Sequence, residues 1–244
     1  MSDTPTPSLY ESPALQAVTG PALRPGGLEL TRRALGFCDL PAGARVVDIG
    51  CGTGVTVHFL RRHCRLEAFG LDRSSGMLGQ VRQRDPGLPL VQGIATRLPF
   101  GDRRLAAVTC ECVLSLVEDP DAALREFHRV LAPGGVLVVA DVYARAPDHA
   151  GGLTSLPVTC CLKGAKSRDE LAGRVQRSGF TLLVWEDHSQ ALKRLAAQLV
   201  FACGSLQAFW GAAGAAASVN AVPSAAPRAR PGYFLAVARK EGNP

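Results

Sequence analysis

The feature that most constrains this chain is the run Val46-Val-Asp-Ile-Gly-Cys-Gly-Thr-Gly54. A short apolar stretch of β-branched residues, bounded by turn residues, reads as a buried strand. Three glycines on alternate positions then remove side chains where the backbone must turn sharply and a ligand must come close. The residues that follow, Val55 to His63, read as a helix with Val55, Phe59 and Leu60 on one side. A strand that passes through a glycine loop into a helix is the opening unit of a nucleotide-type α/β fold. The spacing is G-x-G-x-G rather than the G-x-G-x-x-G of dinucleotide folds.

The pattern then repeats. Leu66 to Asp72, Leu90 to Gly93, Leu105 to Glu111 and Val136 to Val142 read as strands, with helices at Ser75 to Arg84 and Pro120 to Leu131 between them. Asp119 is placed to cap the latter helix and Pro120 suits its first turn. Val136 to Val142 is nearly continuous in apolar residues, as expected for a strand covered on both faces. Alternating strands and helices imply an α/β fold of Rossmann-like, doubly wound type, with a mostly parallel seven-stranded sheet and ligands at the carboxyl ends of its strands.

Four segments follow from this reading. Residues 1–25 hold Pro5, Pro7, Pro13, Pro21 and Pro25 and are expected to be loosely ordered. Residues 26–143 form the cofactor-binding core, opening with a helix from Gly27 to Phe37. Residues 144–231 are read as acceptor-side insertions, with one long helix from Ser189 to Trp210 and a flexible Ala-, Gly-, Pro- and Ser-rich loop over 211–230. Residues 232–240 hold a last strand that returns to the core sheet.

Composition narrows the function classes. The net charge of +6 comes from arginines scattered along the chain rather than from a block, so no nucleic-acid partner is expected. The polar, proline-rich N-terminus lacks a charged and then apolar leader, and no apolar run reaches the about 18 residues of a membrane span. A cytoplasmic protein with no membrane partner is expected. Its eight cysteines, with no CxxC pair, are expected to be reduced and not to form a structural zinc site. Oligomeric state is left open.

The electrostatics of the glycine loop discriminate between cofactors. Asp48 ends the first strand beside the loop, where an acid would oppose a pyrophosphate. S-adenosylmethionine has no phosphate and carries an ammonium and a sulfonium, so a carboxylate there is favourable. Asp72, at the end of the second strand, is placed to meet ribose hydroxyls. Residues 40–143 resemble class I S-adenosylmethionine-dependent methyltransferases through VVDIGCGTG (46–54), FGLDRSSGML (69–78), QGIATRLPF (92–100) and RVLAPGGVLVVADV (129–142). The resemblance implies that Asp48, Gly50, Cys51 and Gly52 cradle the methionine part, that Asp72 and Arg73 meet the ribose, and that Ile94 and Ala95 lie against adenine. It also places Met77 and Glu111 at the cofactor. Ile94 stands where many relatives have an aspartate.

A narrower resemblance concerns the acceptor side. Cys110-Glu-Cys-Val-Leu-Ser-Leu, Asp141-Val-Tyr-Ala144 and Cys160-Cys-Leu-Lys-Gly-Ala are similar to segments of arsenite methyltransferases. It implies that Cys161, and Cys203 with it, hold a soft acceptor through thiolates. A third cysteine of that family has no counterpart in Leu23 to Leu28. Cys161, helped by Lys163 and Lys166, is expected to have a lowered thiol pKa. Cys161, Cys203 and Glu111, the last as general base or ligand, are the candidate catalytic residues. His128 is expected on the exposed side of its helix.

The leading expectation is thus a methyltransferase of a small molecule, with trivalent arsenic or another thiol-bound acceptor. The alternative is an ordinary organic acceptor of quinone or phenol type, with the cysteines merely packed. A non-catalytic ligand-binding protein on the same fold is a third reading.

Overall fold

A computed structural model describes residues 8–154, 156, 158–215 and 228–242. Its centre is one seven-stranded sheet in the order β3-β2-β1-β4-β5-β7-β6. The strands are β1 (Arg45–Ile49), β2 (Glu67–Asp72), β3 (Leu90–Gln92), β4 (Leu105–Glu111), β5 (Leu131–Ala144), β6 (Phe180–Asp187) and β7 (Pro231–Lys240). β1 to β5 pair in parallel, and β7 runs antiparallel between β5 and β6. The sheet is therefore mixed and of the Rossmann-like α/β class.

Both faces are apolar, and the period-2 alternation of a strand divides them. Val46, Val136, Val138, Tyr233 and Leu235 belong to the core on one face, packed with the helices α2 (Gly27–Leu35), α3 (Val55–Arg62) and α4 (Ser75–Arg84). Val47, Ile49, Val108, Phe127, Phe234 and Ala236 belong to the core on the other face, beneath α5 (Pro120–Val130) and α7 (Arg168–Arg177). The remaining helices are α1 (Pro13–Thr19), the short α6 (Gly151–Thr154), α8 (Ser189–Cys203) and α9 (Leu206–Trp210).

Several elements differ from the sequence reading. Residues 8–25 are not loose. They form a 3-10 turn over Leu9–Glu11 and then α1, in which Pro13 occupies the first turn and Ser12 Oγ accepts from the Ala14 amide. A proline-rich stretch hides this helix because Pro at the first position is helix-compatible while looking like a breaker. The first core helix ends at Leu35 rather than Phe37, with Gly36 as its cap. The long helix expected over 189–210 is two helices, α8 and α9, because Gly204 adopts φ 81° and Ser205 caps a new start by accepting from the Ala208 amide. The apolar stripe continues across that break, so periodicity alone does not reveal it. His128 is half-buried, with its ring edge-on to Phe180 at 5.4 Å between centroids. Most of the loop expected over 211–230 lies outside the described residues, which show a π turn at Gly211–Ala215. Among the described residues, no single helix is long and apolar enough to cross a membrane.

The final strand also closes a helix end. Lys240 Nζ donates to the carbonyls of His128 (2.6 Å) and Leu131 (2.8 Å), where α5 gives way to β5. The last carbonyls of a helix have no intrahelical partner, and a cation there also meets the negative end of the dipole. Lys240→Met should therefore lower stability by about 1–2 kcal/mol with little change in the native far-UV circular dichroism, as measured by urea unfolding.

Candidate cofactor and acceptor site

The strand order reverses between β1 and β4, because the chain builds β1, β2 and β3 on one side and then returns to place β4 on the other. Ligands in such sheets bind outside the carboxyl ends at this switch point. Here the ends are Ile49 and Glu111.

The loop after β1 is held by its backbone. The amides of Gly50 and Cys51 both donate to the Leu71 carbonyl, at 2.7 and 3.0 Å. Gly50 has φ 68°, and a Cβ there would meet Val113 Cγ2 at 2.2 Å, so both conformation and packing demand glycine. Gly52 differs. At φ 49° its missing side chain leaves open space, with Met77 Cε the nearest side-chain atom to an added Cβ, at 3.8 Å. The Gly52 amide donates to Asp72 Oδ2 (2.8 Å), and the Ser74 amide donates to Asp72 Oδ1 (2.9 Å). Each carboxylate oxygen thus takes one backbone donor and keeps acceptor capacity for a pair of vicinal hydroxyls.

A cavity of about 480 Å³ opens at this point, within the usual range for a small-ligand site. Of the residues expected from the sequence, Gly50, Cys51, Gly52, Asp72 and Arg73 line it, as do Met77, Ile94, Ala95 and Glu111. The open face at Gly52, the two-point Asp72 carboxylate and the apolar Ile94 and Ala95 fit the loop, ribose and adenine contacts of an adenosine cofactor. Cys51 is buried. Its thiol is packed toward Gly70, and burial pushes its pKa up.

Three expected residues do not line the cavity. Asp48 is buried in the sheet beneath the loop, where its carboxylate accepts from Thr109 Oγ1 at 2.7 Å. Burial, reinforced by the charge of Glu111, pushes its pKa to about 7. A strand-ending position two residues earlier than Gly50 alternates inward, so the residue supports the loop from below instead of touching its ligand. Cys203 sits at the end of α8 packed against the core, away from the site. Cys161 lies in the 3-10 turn Cys161–Gly164, with its amide donating to Tyr10 Oη at 3.3 Å.

Cys161 has another thiol for company. Ligand atoms of Cys112, Asp141 and Cys161 all lie within 4.8 Å of one another. The hydrogen bond with the Cys112 thiol and burial hold the Cys161 pKa well above the ordinary range, opposite to the lowering expected from Lys163 and Lys166. Asp141 is already engaged by the Ser115 amide (3.0 Å), the Ser115 hydroxyl (2.7 Å) and the Val142 amide (2.7 Å). Cys161 thus stands as a protonated, hydrogen-bonded thiol rather than a thiolate trap. Cys112, at φ 58°, is the member that lines the cavity.

The sequence reading missed Arg24. Its Nη2 lies 2.7 Å from Glu111 Oε2, with side-chain exposures of 9% and 3%. Nη2 also donates to Thr31 Oγ1 (2.6 Å) and Thr56 Oγ1 (3.0 Å), and Thr31 Oγ1 in turn donates to Glu111 (3.0 Å). Glu111 is therefore committed to an ion pair, and a substrate proton would have to compete with it. Nothing local in Leu-Arg-Pro-Gly-Gly marks Arg24, because its partners lie on α2, α3 and β4.

Comparisons with known proteins agree with this geometry. Residues 47–139 match the family model described as a methyltransferase domain. The core is thus similar to a methyltransferase domain over those residues. A demethylmenaquinone methyltransferase of Renibacterium salmoninarum is 41% identical over 99 residues, which cover 41% of each protein. The matched stretch thus spans less than half the length of that relative. Among solved structures, the [4+2]-cyclase SpnF superposes with a TM-score of 0.79 at 26% identity, covering 96% of this chain and 94% of the cyclase. Phosphoethanolamine N-methyltransferase 2 of Haemonchus contortus, solved with S-adenosyl-L-methionine, gives a TM-score of 0.73 at 16% identity, over 93% of this chain and 56% of that one. The expectations of a methyltransferase core and of S-adenosylmethionine as its cofactor agree with these findings. The narrower likeness to arsenite methyltransferases does not: a relative that shares the core carries a quinone methyltransferase name.

The buried carboxyls have a pH consequence. Asp48 near 7 and Asp141 near 6 both hold their protons more tightly folded than unfolded, because burial disfavours the charge. Their contribution to stability is complete below the ordinary carboxyl pKa of about 4 and is lost as pH rises toward 7. Asp48→Asn should flatten that part of the stability curve and cost little at pH 8, as read from urea midpoints between pH 4 and 8.

Proposed function

We propose that this protein transfers a methyl group from S-adenosylmethionine to a small aromatic acceptor of quinol or phenol type. The observation that carries the reading is the single cavity that joins the Gly50–Gly52 loop and Asp72 to an apolar wall containing Leu23, Val113, Leu116 and Val117. A flat aromatic ring suits such a wall better than a metalloid does, since burial and the hydrogen bond with Cys112 keep the Cys161 thiol protonated. The quinone methyltransferase name of the relative that shares the core supports the same acceptor class.

When bound, the cofactor supplies an electrophilic sulfonium methyl. The chain's own part is chiefly alignment, because a direct displacement needs the nucleophile about 3 Å from the methyl carbon and in line. Asp72 anchors the ribose end, the Gly52 position gives the backbone room for close approach, and the apolar wall excludes water. Tyr10 and Cys112 reach the acceptor side from the N-terminal segment and from the end of β4. Transfer releases S-adenosylhomocysteine and one proton, which the acceptor hydroxyl, of pKa about 10, or the methylated ring carbon gives up to solvent.

Calorimetry should give a micromolar affinity for S-adenosylmethionine, and Asp72→Ala should weaken it by about 1–3 kcal/mol, roughly 10- to 100-fold. With methyl-labelled cofactor, label should appear in a 1,4-naphthoquinol probe and not in arsenite. Binding without consumption across naphthoquinol and simple phenols would overturn the transferase reading.

A further inference from the structure

The corner between α8 and α9 is unlike the polar surface around it. Between Arg194 and Arg228 the sequence has no Asp, Glu, Lys, Arg or His. Ser189–Cys203 and Leu206–Ala213 together are apolar enough for a membrane span by composition, yet they bend by 84° at the Gly204 break and cannot cross as one rod. The inward side of this corner is spent on the core through Leu199, Phe209 and Trp210. The outward side of a surface helix is ordinarily polar. Here Phe201 is 93% exposed and Val200 beside it 40%. Ala197, Ala202 and Ala208 are exposed around them. One phenylalanine in water is ordinary, but an apolar last turn that runs into an apolar bend is a contact surface.

Charge says what it contacts. Lys193 and Arg194 are exposed on the same outward side of α8, about two turns before Phe201. Neither α8 nor α9 holds an acidic residue. A second copy of the chain is a poor occupant, because a two-fold contact would bring two cationic, acid-free faces together. Val200 and Phe201 also fall well short of the roughly 800 Å² per partner of a stable protein interface. An anionic lipid surface meets both conditions. Its phosphates take the cations, and the boundary between headgroups and acyl chains takes the apolar side chains.

The corner is joined to the wall of the cavity. The helix α1 packs against α8 and against the turn at Gly211–Ala215. Leu9 and Leu15 share one core with Leu199 and Phe209. Tyr10 and Glu11, from the same N-terminal segment, line the cavity.

We propose that the α8–α9 corner docks this protein on the surface of an anionic lipid bilayer, with Val200 and Phe201 entering the headgroup boundary and Lys193 and Arg194 meeting lipid phosphates. A surface contact needs no membrane span, so it is compatible with the lack of a long apolar helix among the described residues. Docking there brings to the lipid the helix that carries the N-terminal wall of the cavity, and lipid is the phase in which apolar aromatic molecules collect. The docking itself does not rest on the acceptor reading.

The test is flotation of the full chain with vesicles of phosphatidylcholine containing phosphatidylglycerol, and with vesicles of phosphatidylcholine alone. The wild type should float with the mixed vesicles and bind the neutral ones about 10- to 30-fold more weakly, since each basic residue near an anionic surface is worth about fivefold. Lys193→Gln/Arg194→Gln should lower binding to the mixed vesicles by the same factor, and Phe201→Ser by about tenfold or more. All three side chains are exposed, so these variants should keep the wild-type urea midpoint. Phe201→Trp reads the contact directly: its added emission should be that of a solvated indole in buffer and should shift to the blue on the mixed vesicles. No binding to either vesicle, equal binding to both, or variants that float like the wild type would overturn the docking. So would blue emission of the Phe201→Trp variant in buffer, which would mean that another part of the chain or a second copy already covers the position. A chain that floats as expected but methylates no quinol or phenol would leave the docking standing and overturn the acceptor reading alone.

Discussion

Everything at the site hangs on one carbonyl. Leu71, one residue before the end of β2, accepts from two successive amides, Gly50 and Cys51, and so ties the exit of β1 to the exit of β2. That double bond forces the tight reversal which sends the chain into α3. It also brings Asp72 within 2.8 Å of the Gly52 amide. A backbone that turns this sharply in the left-handed region tolerates glycine and little else. The remaining geometry follows from it: the loop is flat against the strand ends, its amides are spent on structure, and the opening at Gly52 faces the cavity.

The second constraint is charge held out of water. Asp48, Glu111, Asp141 and Arg24 all lie within or beneath the site, and each is solved differently. Asp48 takes a hydroxyl from Thr109 and rests near neutrality. Asp141 takes three donors from its neighbours. Glu111 takes a cation. Burial, with the neighbouring Glu111 charge added to it, raises the Asp48 pKa. Asp48 therefore supports the loop from beneath and does not line the cavity.

What the sequence made legible was whatever is local. The apolar strands, the glycine loop, Asp72 closing β2 and the Asp119–Pro120 start of α5 each announce themselves within a few residues, because period, capping and turn chemistry are short-range effects. What stayed hidden needs the third dimension. Arg24 gains its meaning from partners 7, 32 and 87 residues away. Cys112 and Cys161 meet only because the segment after β5 folds back over the end of β4. The resemblance to arsenite methyltransferases selected Cys161 and Cys203, whereas the fold puts Cys112 at the cavity and leaves Cys203 in packing. The lysines near Cys161 in the chain do not set its pKa, because the groups that matter are those across space.

The N-terminal segment shows how these contacts combine into function. Leu9 donates its amide to the Thr159 carbonyl at 3.1 Å, Tyr10 Oη accepts from Cys161, Thr53 holds the Pro21 carbonyl, and Arg24 pairs with Glu111. One stretch of chain is thereby stitched to the turn after β5, to the glycine loop and to the end of β4. The first helix α1 is short and would be marginal alone, so its order comes from these ties and from Leu15 in the core. The result is a wall over the cavity whose inner face supplies Tyr10, Leu23 and Arg24. Excluding water there strengthens every charge contact inside and keeps solvent from competing as a nucleophile. The same residues that give the N-terminal segment its structure are thus those that close this side of the cavity.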